Sequence, residues 1–135
     1  MASIHLTIPI ATPAADVWSA VADVGAVHER LARGFVVDTR LEGDTRVVRF
    51  DNGFVARELL VDVNGNARRI AYAVVESPLG MRHHHASMQV VADSGEHSRL
   101  IWIADVAPDD VGAAVDQFMQ LGAVAIQRTL DRVTA

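Results

Sequence analysis

From Arg33 to Val106 apolar and polar residues alternate in short runs broken by turn pairs, the period-two signature of half-buried strands. From Asp109 onward the period changes. Val111, Val115, Phe118, Gly122 and Ile126 fall at i, i+4, i+7, i+11 and i+15, one stripe of an amphipathic helix expected over 109–133. Ahead of both, Ile4, Leu6, Ile8 and Ile10 alternate with His5, Thr7 and Pro9, a first strand over 3–11. Thr12-Pro13 then reads as a helix start, a hydroxyl to cap free N–H groups and a proline at the first helical position. That helix carries Val17, Trp18, Val21 and Ala22 inward, and a second short helix is expected over 26–31, ended near Gly34.

Strands follow at 35–42, 45–51, 54–62, 67–76, 84–92 and 98–106. Glu42-Gly43-Asp44, Asp51-Asn52-Gly53, Asn64-Gly65-Asn66 and Asp93-Ser94-Gly95 supply the turns, and Ser77-Pro78-Leu79-Gly80 a wider loop. Short connections favour antiparallel neighbours, so the pattern predicts an α+β fold with one sheet, a single domain over 1–135. One helix cannot cover such a sheet unless the sheet curls around it. A curled sheet gripping one helix leaves a hollow between them.

Composition narrows what that hollow can do. Hydrophobic residues make up 50% of the chain, yet no apolar run approaches the roughly 18 residues of a membrane span. Membrane insertion is not expected, and the opening Met1-Ala2-Ser3-Ile4-His5 lacks a signal-like basic and apolar stretch, so a cytoplasmic location is expected. There is no cysteine, which removes thiolate nucleophiles and zinc–thiolate sites. There is no lysine either, which removes Schiff-base chemistry on a lysine. The net charge is −5 and the arginines are scattered, which argues against nucleic acid as a partner. No glycine-rich phosphate loop is visible, and no cofactor is expected.

The order of elements, with particular residues, resembles the START-like or helix-grip superfamily, which includes birch-pollen-type allergens, plant abscisic-acid receptors and bacterial polyketide cyclase/dehydrase proteins. Ala11-Thr12-Pro13-Ala14-Ala15-Asp16-Val17-Trp18 looks like its opening strand-to-helix passage. Gly43-Asp44-Thr45-Arg46, Asp51-Asn52-Gly53 and Arg57-Glu58-Leu59 resemble its "G-x-x-R … G … E-x-L" run. Tyr72 with Glu76-Ser77-Pro78-Leu79 resembles "Y-x-x-x-E-x-P-L", and Trp102 through Pro108 the strand leading into the last helix. The resemblance implies a helix-grip fold: a seven-stranded antiparallel curved sheet around a long C-terminal helix, with two short helices after the first strand. The function it implies is binding of a small apolar or aromatic molecule, as carrier or sensor, or acid–base cyclisation, dehydration or isomerisation beside a carbonyl in the polyketide cyclase/dehydrase manner. Where many members carry a tryptophan and a proline after the second short helix, this chain reads His28-Glu29-Arg30-Leu31-Ala32-Arg33-Gly34, which implies a different pocket entrance.

Strand alternation decides which side chains reach the hollow. A three-residue loop around Ser94-Gly95 places His85 opposite Asp105, Ser87 opposite Ile103 and Gln89 opposite Ile101, all on one face. The other face holds His84, Met88, Val90, Leu100 and Trp102, and hydrophobicity alone would turn that face inward. In the hormone-receptor branch of the superfamily, however, the polar residues face the ligand. Carried over, that selects Glu58, His85 and Asp105 as acid–base residues, with Tyr72 and Ser87 on the ligand and Arg46 nearer one end; Gln89, Ile101 and Ile103 share the face of His85 and are expected on the ligand with them. Val48, Phe50, Phe118, Met119, Gly122 and Ile126 complete the expected wall. On this reading His85–Asp105 is the base, Glu58 the acid, and Arg46 binds a carboxylate or enolate; Arg46 and Glu58 also fit a structural ion pair. His83-His84-His85 invites a metal reading, but alternation leaves at most His83 and His85 on one face with Asp105, and no metal is expected. Trp102, Met88 and Val90, turned outward, would form an apolar patch able to serve a homodimer.

Overall fold

The computed structural model describes residues 1–131. Strand β1 (Ala2–Ile10) leads into helix α1 (Ala14–Ala22) and a π-helical turn (Val27–Leu31). Strands β2 (Val36–Glu42), β3 (Thr45–Phe50), β4 (Val55–Asn64), β5 (Arg69–Glu76), β6 (His83–Ala92) and β7 (Ser98–Ala107) follow, then a 3₁₀ turn (Asp109–Val111) and the long helix α2 (Gly112–Leu130). The last residues expected in that helix, 132 and 133, lie outside the described residues. The strands form one antiparallel sheet in the order β1-β7-β6-β5-β4-β3-β2. Register shifts at Val36/Asp38, Arg57/Glu58 and Leu60/Asp62 bend the β2–β5 side, because an extra residue on one strand raises local twist. The curl brings α2 under the concave face.

The start of α1 departs from expectation. Pro13 is the residue before the first helical turn, and the Thr12 hydroxyl does not cap it. Instead Thr12 Oγ1 donates to the carbonyls of Ala11 and Leu130, at 2.7 and 2.5 Å, tying the first helix junction to the end of α2. Val17 and Val21 are buried as expected, while Trp18 and Ala22 are only half-buried.

The β6–β7 hairpin has the expected register: the Asp93 amide donates to the His97 carbonyl at 3.0 Å, leaving a three-residue loop, and His85 pairs with Asp105, Ser87 with Ile103, Gln89 with Ile101. The faces are the reverse of those the hormone-receptor comparison selected. Met88, Val90, Leu100, Trp102 and Val106 are buried on the concave side, each no more than 8% exposed. Removing each such side chain from water stabilises the fold by about 1.5–3 kcal/mol, which outweighs any gain from turning uncompensated polar groups inward. His85, Ser87, Gln89, Ile101, Ile103 and Asp105 therefore stand half-exposed on the convex side. There Asp105 Oδ1 accepts from Ser3 Oγ at 2.6 Å, and Gln89 Nε2 donates to the Ala67 carbonyl at 3.1 Å. The same reversal removes the outward patch of Trp102, Met88 and Val90.

Helix α2 presents Val115, Met119, Gly122, Ala125 and Ile126 to the sheet. A β-carbon on Gly122 would sit 3.1 Å from both the Phe35 and Trp102 rings. The bare backbone there seats those rings against the helix.

Candidate ligand-binding site

Between α2 and the concave sheet lies a cavity of about 110 Å³. Of the residues expected there, Arg46, Val48, Phe50, Glu58, Tyr72, Phe118, Met119, Gly122 and Ile126 line it. His85, Ser87, Gln89, Ile101, Ile103 and Asp105 do not; His84, Met88 and Trp102 hold their place. The expected wall did not include these three, which lie on the face that hydrophobicity alone would turn inward.

Strands β5 and β6 part beside the cavity. Their pairing ends at Tyr72–Ala86, and beyond it the Val74 amide donates to His84 Nδ1 at 2.9 Å instead of to a strand carbonyl. Leu79 and Met81 line the gap, and the wall reaches the surface at Val55 and Pro78. At the same end all four phenylalanines of the chain gather. Phe118 lies 5.0 Å from Phe35, 4.7 Å from Phe50 and 6.2 Å from Phe54, ring centre to ring centre. Phe50–Phe118 meet edge to face, the arrangement the ring quadrupoles favour.

The polar wall is compact. Arg46 and Glu58 face each other across β3–β4, and Arg46 Nε and Nη2 reach Glu58 Oε1 at 2.8 and 2.7 Å with both side chains buried. Arg46, expected to seize a ligand carboxylate, is thus turned to an internal one. Its guanidinium also lies 5.4 Å from the centre of the Tyr72 ring. Tyr72 is buried, and its hydroxyl oxygen accepts from Trp102 Nε1–H at 2.9 Å. Burial, then the Glu58 carboxylate, pushes the Tyr72 hydroxyl well above the usual phenol range. His84, its ring centre 5.8 Å from that of Tyr72, is held down to about 4, by burial first and by His85 and His83 next. At neutral pH both groups are uncharged. Because a backbone N–H can only donate, His84 Nδ1 is the acceptor and the ring proton sits on Nε2.

Three polar functions on this wall remain unused among the described residues. The Tyr72 proton has no acceptor, His84 Nε2 has no partner, and Glu58 Oε2 accepts no hydrogen bond. Among the described residues, every side-chain polar atom that is fully shut off from accessible space has a partner, so His84 Nε2 and Glu58 Oε2 retain open space beside them, and both residues line the cavity. Among the described residues no group of three or more His, Asp or Glu side chains is spaced to hold a metal ion, and no helix is long and apolar enough to cross a membrane.

A curved antiparallel sheet closed over a C-terminal helix, with a largely apolar hollow between them, defines a helix-grip protein of the ligand-binding kind. The chain matches, over residues 1–135, the family described as polyketide cyclase / dehydrase and lipid transport, and it belongs to that family. Solved structures agree on the fold. The protein XoxI from Bacillus cereus is similar with a TM-score of 0.85 and 17% identity, covering 96% of each chain. A START superfamily protein from Mycobacterium smegmatis is similar at 0.78 and 12%, covering 95% of this chain and 96% of its own. Norcoclaurine synthase from Thalictrum flavum, solved with dopamine and hydroxybenzaldehyde, is similar at 0.70 and 18%, covering 94% of this chain and 84% of its own. No curated protein sequence matches the chain.

Proposed function

We propose that the protein binds one small, mostly apolar molecule in the cavity beneath α2 and holds it there as a carrier or sensor. The observation that carries this reading is the character of the wall: apolar side chains throughout, with the Arg46–Glu58 charges satisfying each other and a few polar functions left open. Pockets for small molecules share that build. An engineered dry cavity of about 150 Å³ binds benzene, so 110 Å³ suits a group of one small ring with slight yielding of its neighbours. Met81, Met88 and Met119 on the wall make such yielding easy, since methionine changes rotamer at low cost. Titration with toluene, followed by ligand-observed NMR, should show one saturable site. Met88→Trp, which fills the cavity, should abolish it, while Val61→Trp at an exposed position should not. Absence of saturable binding would end the proposal.

One observation favours a second reading, catalysis of proton transfer beside a carbonyl. Glu58 Oε2 is an unengaged carboxylate oxygen on the same wall as the Tyr72 and His84 donors, a base and an acid sharing one cavity. His85 and Asp105 take no part in it, because they face away. Exchange of the acetophenone methyl protons in D₂O, read by loss of their NMR signal, distinguishes the two. A catalyst accelerates exchange and loses that effect in Glu58→Gln with ketone affinity kept; a carrier leaves the uncatalysed rate unchanged.

A further inference from the structure

The inference drawn here rests on the cavity being a binding site and names what it selects. We infer that the cavity recognises an uncharged carbonyl compound, gripping one carbonyl oxygen between Tyr72 O–H and His84 Nε2–H, and rejects the corresponding free acid.

Each part of this follows from how hydrogen bonds on the wall are already used. The Tyr72 oxygen takes the Trp102 Nε1 proton, which fixes the phenol and leaves its own proton as the available function. The His84 ring is anchored through Nδ1 to the Val74 amide, which fixes the tautomer and leaves Nε2–H as the available function. Tyr72 and His84 stand on adjacent strands with ring centres 5.8 Å apart, and a carbonyl oxygen has two lone pairs, one for each neutral donor. Burial keeps the phenol protonated and the imidazole neutral, so both remain donors without net charge.

The cation that would welcome a carboxylate is committed. Arg46 spends two nitrogens on Glu58 Oε1 at 2.7–2.8 Å, and Nη1 approaches the Val24 carbonyl at 3.5 Å. An incoming carboxylate would leave water without gaining a counter-ion and would face Glu58 across the same small space, a costly exchange. A hydrocarbon of the same shape would bind by its apolar body alone and leave both donors unsatisfied.

Three probes of nearly one shape separate these cases: α-methylstyrene, acetophenone and benzoate, titrated at neutral pH by calorimetry or ligand-observed NMR. Acetophenone should bind roughly tenfold more tightly than α-methylstyrene, the worth of one to two net hydrogen bonds, and benzoate should show no saturable binding at millimolar concentration. His84→Asn keeps an acceptor for the Val74 amide while removing the distal donor, and should cut the ketone preference several-fold with α-methylstyrene affinity unchanged. Tyr72→Phe should act in the same direction. Equal affinities for the ketone and the hydrocarbon, or a preference untouched by both variants, would overturn the inference and leave the cavity reading standing. So would benzoate binding most tightly, which would mean that Arg46 exchanges Glu58 for the ligand. Failure of all three probes to bind would remove the cavity reading, and this inference with it.

Discussion

Arg46 and Glu58 meet as the structural ion pair that their sequence positions also fit. Facing each other in register and nearly dry, they form a pair whose mutual attraction offsets the removal of both charges from water. Taking one partner away leaves the other buried and uncompensated. Glu58→Gln should cost about 3–5 kcal/mol in urea unfolding, whereas the double change Arg46→Met with Glu58→Leu should recover most of that loss. Equal losses in both variants would mean that the pair contributes through shape and not charge. His84 adds a pH dependence of definite sign. Its unfolded pKa is the usual 6.5 and its folded value about 4, so between these the unfolded chain binds more protons. Stability from this group is fully present above pH 6.5, falls as the pH drops and levels off below 4, a change on the order of 3 kcal/mol. His84→Asn should flatten that part of the unfolding free-energy profile relative to the parent protein. An unaltered profile would show that the imidazole titrates normally in the folded state.

At the scale of elements, one missing side chain and one hydroxyl are among the features that seat α2. Gly122→Ala drives a methyl to within 3.1 Å of Phe35 and Trp102, tighter than ordinary contact, so those rings must shift. The helix-propensity gain of roughly 1 kcal/mol from replacing glycine should be outweighed by overpacking of about 1–3 kcal/mol, giving a net loss. A rise in melting temperature would show that the rings have room. Thr12→Val removes the clasp on the Leu130 carbonyl and should cost about 1 kcal/mol, with faster amide exchange in the last turn of α2 as the local signature. These elements were largely legible in the sequence, because turn pairs and period set the strand limits to within two residues and the three-residue loop set the register of β6 and β7. What alternation leaves open is which face turns inward. The polar row His85-Ser87-Gln89 and the apolar row Met88-Val90 are equally periodic, and the choice belongs to the curl of the sheet. The row bearing Trp102 and Leu100 carries more apolar surface and wins. His84 was hidden for a related reason: its place inside depends on β5 and β6 separating after Tyr72, a tertiary event that no local pattern records.

For the whole molecule, family membership and fold place the protein among ligand-binding helix-grip proteins, and the wall chemistry argues for an uncharged guest. The four phenylalanines and the methionines give that guest an adaptable apolar bed, and the Tyr72–His84 pair gives it a polar end. The central claim is that the face bearing His84, Met88 and Trp102 meets the ligand. Methyl NMR on protein labelled at methionine and isoleucine, titrated with α-methylstyrene, tests it most directly. The account predicts saturable shifts at Met81, Met88, Met119 and Ile126, with Ile101 and Ile103 on the convex face and exposed Met1 unmoved. Shifts confined to Ile101 and Ile103, with Met88 and Met119 silent, would contradict it.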